Sequence, residues 1–129
     1  MARKILLVDD EAGFTQLLKM NLEKGGRYEV CIENDSTKAI SVAQGFLPDL
    51  ILLDVVMPGM DGGDVQAALQ SDHMLSRVPV LMLTALVDST ELSEGAVAQS
   101  GSQMVLPKPV NLALLFRVLD EILGETGAA

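Results

Sequence analysis

The sequence of 129 residues is poor in cysteine, in aromatic side chains and in basic charge. Its single cysteine, Cys31, excludes an internal disulfide, and the alternating apolar stretch around it favours a buried, unreactive thiol. Aromatic residues make up only 3% of the chain, so the core has to be built mainly from aliphatic side chains, within a hydrophobic content of 49%. The length and composition predict one globular domain.

Basic residues are outnumbered by acidic ones, with 9 Lys and Arg against 18 Asp and Glu and a formal net charge of −9. This negative charge argues against nucleic acid or an anionic membrane as a direct partner of this domain. The sequence also lacks a secretory signal and an apolar run of the ~20 residues that a membrane span needs. We therefore expect a soluble, cytoplasmic protein.

The apolar runs that do occur are short, and one of them leads straight into a carboxylate. Residues 50–53 are all apolar, Asp54 follows them, and Pro58 and Gly59 break the chain soon afterwards. Such a run is typical of a strand that is buried on both faces of a parallel sheet. Ligands of open parallel sheets bind beyond the carboxyl ends of the strands. Asp54 is therefore a candidate reacting group, which we interpret as a phosphoryl acceptor.

Strand and helix patterns alternate along the chain. Strands are predicted at residues 4–8, 28–33, 49–53, 78–83 and 103–106, the second of them near a sheet edge. A helix is predicted after each strand, beginning near Glu11, Asp35, Asp64, Asp88 and Asn111. The alternation predicts an α/β fold with a doubly wound parallel sheet and helices on both faces.

Two of these helices carry further expectations. The first is predicted to bury one face, which consists of Phe14, Leu17, Leu18 and Leu22. The fourth is predicted to be the least stable element because it contains Gly95 and several serines.

Four of the five predicted strands end in polar groups that could share one pocket. These groups are Asp9 and Asp10, Asp54, Thr84 and Lys108. Carboxylates about 4 Å apart repel by roughly 1–4 kcal/mol per pair, so the cluster needs a divalent cation, a lysine or raised pKa values. Oxygen ligands without nearby His or Cys favour Mg²⁺ or Mn²⁺ over zinc.

Five separated motifs occur in an order that resembles the receiver domain of the two-component response regulator family, in particular chemotaxis-type regulators. The motifs are residues 7–11, 53–62, 79–85, 98–101 and 107–109. The resemblance covers nearly the whole chain. It implies a flavodoxin-like sheet in the order 2-1-3-4-5 with five helices, a receiver domain over residues 1–124 and a frayed tail over residues 125–129.

The resemblance implies a role for each candidate carboxylate. Asp54 matches the phosphoacceptor, which attacks a phosphohistidine donor and becomes an acyl phosphate. Asp10 and Asp54 match the direct carboxylate ligands of Mg²⁺, and the backbone carbonyl of Val56 matches a third ligand. Asp9 matches the acid that reaches the metal through water.

The remaining two strand-end residues match groups that contact the phosphoryl group. Thr84 corresponds to the hydroxyl that bonds a phosphoryl oxygen and couples phosphorylation to a conformational change. Lys108 corresponds to the paired cation, and the Lys108–Pro109 peptide bond is typically cis in this family. Such a protein is a signalling switch that catalyses only its own phosphorylation and dephosphorylation. It is therefore not expected to act as an enzyme on a free metabolite.

The resemblance also implies partners. A sensor histidine kinase or a phosphotransfer protein would supply the phosphoryl group. The face formed by the fourth helix, fifth strand and fifth helix would contact a downstream protein, an attached output domain or a second copy. Met104, Leu114 and Val118 are the apolar candidates on that face.

Three apolar positions depart from the family pattern. Val105 stands where receivers usually have a Tyr or Phe ring that moves on phosphorylation, so the resemblance does not extend to this aromatic readout. Val56 and Leu86 occupy positions where fast receivers often place a polar side chain that orients water. These two side chains predict a long-lived phosphorylated state.

Two other functions compete with the switch. A haloacid-dehalogenase-like phosphatase would need a second Asp two residues after its nucleophile, and this chain has Val56 there. A degenerate receiver, acting as a non-phosphorylated interaction module, would not need Thr84 or Lys108, so their presence argues against this alternative. Val105, in place of the usual aromatic residue, is compatible with it. Metal-dependent phosphorylation would distinguish these alternatives.

Overall fold

The computed structural model describes residues 2–84, 98–100 and 103–123. The strands are β1 (Arg3–Val8), β2 (Tyr28–Glu33), β3 (Leu50–Asp54), β4 (Val80–Thr84), β5 (Ala98–Ser100) and β6 (Gln103–Pro107). The helices are α1 (Ala12–Glu23), α2 (Ala39–Phe46), α3 (Gly62–Ser71) and α4 (Leu112–Leu123). A short 3₁₀ turn, Ser36–Lys38, precedes α2.

The sheet has the order β2-β1-β3-β4-β6-β5. The first five strands in this order run parallel, which confirms the predicted 2-1-3-4-5 arrangement with β6 as the fifth strand and β2 at an edge. The prediction of five strands missed β5, which pairs antiparallel with β6. The sequence of β5 is too short and too polar to show the alternating pattern of a strand. It forms a strand because its backbone pairs with the otherwise unpaired edge of β6.

Side chains on the two faces of the sheet form two separate apolar clusters. Ile5 and Leu52 belong to one cluster, whereas their chain neighbours Leu6 and Leu53 belong to the other. Helices α1 and α4 cover the first cluster, and α2 and α3 cover the second. The central strands contain continuous apolar runs, such as residues 50–53 of β3, because both of their faces are buried.

Two predictions about helix faces are wrong. Leu17 was expected on the buried face of α1 but is 60% exposed, because Thr15, Leu18 and Leu22 occupy that face. Val118 was expected on a partner surface but is only 2% exposed, since it lies one helical turn from the buried Leu115.

Several predictions about the partner surface and the C-terminal half of the chain fall partly or wholly outside the described residues. Leu114 is half-buried and packs against the core, while the side chain of Met104 is not described. The predicted fourth helix near Asp88 and the C-terminal tail also lie outside the described residues. None of the described helices has the length and apolar content needed to cross a membrane.

Candidate functional site

Three carboxylates meet at the carboxyl ends of β1 and β3. These strands are neighbours, with Val8 paired to Leu53, so the next residue after each of this pair, Asp9 in one case and Asp54 in the other, lies beside its counterpart. Asp10 is next along the chain. One carboxylate oxygen from each of the three acids lies within 4.8 Å of the others. The sheet topology therefore joins residues that are 45 positions apart in the sequence.

Two of these carboxylates are buried. Asp9 has no exposed surface, and Asp54 is almost as enclosed, whereas Asp10 is exposed. The Asp9 carboxylate accepts a hydrogen bond from the Glu11 backbone N–H at 2.9 Å. Burial, followed by the charge of Asp9, raises the pKa of Asp54, although Lys108 opposes this shift. The cluster holds more negative charge than its surroundings neutralise.

Lys108, which directly follows β6, is the cation that faces this cluster. Its Nζ lies 2.9 Å from Asp9 Oδ2, 2.8 Å from Glu11 Oε1 and 3.6 Å from Asp54 Oδ2. The Nζ also lies 4.6 Å from the ring centroid of Phe14. Burial alone lowers the pKa of Lys108, but hydrogen bonds to Glu11 and Asp9 outweigh it and raise this pKa. The lysine therefore stays charged at neutral pH.

Backbone hydrogen bonds connect the strand ends that carry Thr84 and Lys108. The Lys108 N–H donates to the carbonyl of Thr84 at 2.9 Å, and the Val55 N–H donates to the carbonyl of Leu83 at 2.9 Å. Thr84 is buried beside the strand that bears Asp54. The Lys108–Pro109 bond is cis, as the resemblance implied. Thr84, Lys108 and Asp54 thus lie on a continuous hydrogen-bonded frame.

The loop after Asp54 is anchored at its base by a close backbone approach. The Gly62 N–H donates to the carbonyl of Val55 at 2.7 Å. A Cβ at Gly62 would stand 2.6 Å from the Asp54 carbonyl oxygen, so a larger residue would displace the end of β3. Asp61 and Asp64 form a capping box at the start of α3. Helix α3 therefore begins at Gly62, two residues before the predicted start at Asp64, because Asp61 is its N-cap.

Sequence reasoning missed two polar residues around Asp9. Glu11 was predicted only as the start of the first helix and as part of the motif at residues 7–11, yet its carboxylate accepts a hydrogen bond from Lys108. Asn34 lies beyond β2, and its Nδ2 donates to the Asp9 carbonyl at 2.6 Å and to Thr15 Oγ1 at 3.1 Å. The position of Glu11 beside two aspartates was a usable signal. Asn34 gave none, because only the pairing of β1 with β2 brings it to the site.

The apolar positions that depart from the family pattern have different environments. Val105 is half-buried and packs against the cluster under α2 and α3, so its methyl groups fill space in the core. Val56 is 53% exposed, and its backbone N–H donates to Asp54 Oδ1 at 3.4 Å. Leu86 lies outside the described residues.

The donor set at the strand ends fits a hard divalent cation. Its members are carboxylates, two of them are buried, and Lys108 is the one cation paired with these two among the residues that the structure describes. Carboxylate oxygen is the ligand that Mg²⁺ and Mn²⁺ prefer, and the exposed Asp10 leaves one side open for an ion to enter. The pocket is therefore able to bind a metal ion.

Comparisons with known proteins give a consistent result. The model of the response regulator receiver domain family matches residues 5–120. The DNA-binding response regulator MtrA of Mycolicibacterium paratuberculosis is 37% identical over 109 residues, which are 84% of this chain and 46% of the relative. Response regulator PleD of Caulobacter vibrioides is 39% identical over 116 residues, which are 90% of this chain and 25% of the relative. The chain spans less than half the length of these relatives.

Solved structures share the same fold over nearly the whole chain. Chemotaxis response regulator CheY4 of Vibrio cholerae has a TM-score of 0.77 and 30% identity, covering 95% of this chain and 99% of that chain. The receiver domain of sensor histidine kinase PA1611 from Pseudomonas aeruginosa has a TM-score of 0.78 and 29% identity, covering 96% and 99%. That structure has a magnesium ion coordinated in its active-site cleft.

Proposed function

Because this chain belongs to the response regulator receiver domain family, we propose that it is a phosphorylation-activated switch whose phosphoacceptor is Asp54. The donor is a phosphohistidine of a sensor histidine kinase or phosphotransfer protein. The observation that carries the proposal is the enclosure of Asp54 at a strand end, with Lys108 Nζ 3.6 Å from its Oδ2 and two further carboxylates beside it.

The transfer is a substitution at phosphorus. An Asp54 carboxylate oxygen forms the new O–P bond while the P–N bond to the donor imidazole breaks, and the imidazole leaves with the bonding electron pair. Such reactions need positioning and charge neutralisation more than covalent assistance. Lys108 provides one positive charge, held near Asp54 by its contacts with Asp9 and Glu11.

Mg²⁺ fits the acidic pocket as the second source of positive charge. In the proposed ligand set, Asp10, Asp54 and the Val56 carbonyl hold it directly, and Asp9 holds it through water. When bound, the ion neutralises charge on the phosphoryl oxygens and on the crowded carboxylates.

The switch requires residues that sense the phosphoryl group. We infer that the Thr84 hydroxyl moves to a phosphoryl oxygen and that Lys108 exchanges one of its carboxylate partners for the phosphoryl group. The backbone bond between Lys108 and Thr84 supports coupling of these two responses. Val105 has no ring to move, so this chain would signal through the Thr84 segment rather than through an aromatic side chain.

The partners and the location are part of the same proposal. The output is a downstream protein, an attached domain or a second copy, and a net charge of −9 disfavours nucleic acid as a direct partner of this domain. The DNA-binding function in the name of MtrA belongs to that relative. We place the receiver domain at residues 1–124, with a tail over 125–129, in the cytoplasm.

Intact-mass spectrometry after incubation with acetyl phosphate tests the proposal. We expect a single phosphoryl adduct that requires Mg²⁺ and that is lost in Asp54→Asn. Asp61→Asn is the matched control, because it changes an acid in the same loop that can still cap α3. A folded protein that bound no Mg²⁺ and formed no adduct, even with a phosphorylated histidine donor, would contradict the proposal and favour an interaction module.

A further inference from the structure

A buried serine outside the acidic pocket holds the loop that follows Asp54. Ser36 lies in the 3₁₀ turn after β2 and is only 2% exposed. Its hydroxyl donates to the Pro58 carbonyl at 2.9 Å and accepts from the Met60 backbone N–H at 3.0 Å. The Ser36 hydroxyl therefore bonds the residue before Gly59 as a donor and the residue after Gly59 as an acceptor.

The loop fits closely against the 3₁₀ turn at this point. Gly59 has φ of +88°, which favours glycine. A Cβ there would lie 3.0 Å from the Thr37 Cγ2 methyl and 3.5 Å from Ser36 Oγ. The hydrogen bonds of Ser36 therefore join the loop and the 3₁₀ turn at a point where the two segments are closely packed.

The 3₁₀ turn is itself held in place. Asp35 caps it, accepting from the Thr37 backbone N–H at 3.0 Å. The turn also continues directly into α2, whose Ala39 and Ala43 are buried in the core. Ser36 is therefore a fixed support against which the more exposed loop rests.

Val56 lies between the two anchors of the loop. The bond from Gly62 to the Val55 carbonyl closes the base, and Ser36 holds the opposite end. The Val56 side chain is 53% exposed, so its own packing contributes little to the backbone conformation at that residue. The conformation is therefore held by the two anchors, by the buried Met57 side chain and by the long hydrogen bond from the Val56 N–H to Asp54 Oδ1.

We propose that Ser36 is a positioning residue that presets the Val56 carbonyl for a divalent cation held by Asp10 and Asp54. This inference rests on the proposed function, because it uses the Mg²⁺ site assigned there. Groups outside the ligand shell that orient ligands affect metal affinity strongly, by about 10- to 100-fold when they are removed. Ser36 acts through two backbone groups, so we expect the low end of that range.

The test is a Mg²⁺ titration of the intact protein, followed by backbone amide NMR shifts, with stability measured by urea unfolding. Ser36→Ala should weaken Mg²⁺ binding by about 10-fold. Ser36→Thr keeps the hydroxyl but adds a methyl group in a buried site, so it should lose less affinity than Ser36→Ala. Thr37→Val is the matched control, since it removes a neighbouring hydroxyl that bonds only Asp35 among the described contacts, and it should leave Mg²⁺ affinity unchanged.

A second variant approaches the same contact from the loop. Gly59→Ala adds a methyl group that meets Thr37, and it should also weaken Mg²⁺ binding. Wild-type affinity in folded Ser36→Ala and Gly59→Ala would overturn the inference and leave the proposed function intact. An equal loss in Thr37→Val would overturn it as well, because general loosening of the turn would then explain the result. A wild-type protein that bound no Mg²⁺ would overturn the proposed metal site and this inference with it.

Discussion

Lys108 donates a 2.8 Å hydrogen bond to Glu11, which is closer than its 3.6 Å approach to Asp54. Glu11 is 61% exposed on its side chain, whereas the other two carboxylates around this ammonium are buried. The exposed glutamate is thus the partner that Lys108 can exchange most readily. Its negative charge also opposes the approach of an anionic phosphodonor.

Glu11→Gln should therefore increase the rate of phosphorylation by acetyl phosphate. Removal of one unit charge within several ångströms of the incoming phosphate changes the barrier by about 0.5–1 kcal/mol in a solvent-screened setting, or about two- to fivefold in rate. Intact-mass time courses measure this rate. Glu29→Gln makes the same charge change at an exposed position on β2 and should have the wild-type rate. Equal rates in both variants would contradict the prediction.

Asp54→Asn should stabilise the protein in the absence of divalent cations. The substitution removes one of three clustered negative charges while keeping the side chain nearly isosteric. We expect the free energy of unfolding to rise by about 1–2 kcal/mol, since the cost of burying the Asp54 charge and its repulsion from Asp9 together exceed the lost attraction to Lys108. Urea unfolding at neutral pH with a chelator measures it. Added Mg²⁺ should stabilise the wild type more than the variant, and an unchanged or lowered stability of the variant would refute this account.

Val56→Asn should shorten the life of the phosphorylated state. A polar side chain two residues after Asp54 can orient an attacking water, which the exposed valine cannot. We expect loss of phosphate to accelerate by about 10-fold, below the ~100-fold or more of a well-placed general base. The decay of the adduct with Mg²⁺ present is the measurement. Val56→Ala separates shielding from water orientation, and a similar acceleration in that variant would assign the effect to lost shielding.

Glu23 gives a pH dependence that is independent of the acidic pocket. A hydrogen bond from the Val30 backbone N–H, then one from Lys19, lowers the pKa of Glu23 below its usual value of 4.5. The stabilisation is therefore fully present above pH 4.5 and is lost as the pH falls through the lowered pKa. Glu23→Gln should cost no more than about 1 kcal/mol at pH 7, because the pair is partly exposed.

Urea unfolding of this variant across pH 3 to 7 is the corresponding measurement. The difference between wild type and Glu23→Gln should shrink toward the acid end, whereas exposed Glu121→Gln should show no such trend. A difference that stayed constant with pH would mean that the carboxylate charge contributes nothing to the contact between α1 and β2.

Local patterns in the sequence were sufficient to predict most elements. The run before Asp54 is buried on both faces, so its apolar character is continuous and its end is sharp. Asp35 and Asn111 act as caps, as predicted, because capping depends on neighbours two or three residues away. Prediction failed where neighbours from other elements decide, as for Leu17 and Val118.

The candidate site also contains residues that local sequence predicts and contacts that only the tertiary structure determines. The sequence by itself determined which groups end the strands, Asp9, Asp10, Asp54, Thr84 and Lys108, because short apolar runs followed by polar residues are local signals. Only the tertiary structure decided that Lys108 contacts Glu11, that Asn34 reaches the Asp9 carbonyl and that Ser36 supports the loop after Asp54. Each of these contacts depends on the order of parallel strands and on helix packing, and the physical interactions that fix that order act between residues far apart in the chain.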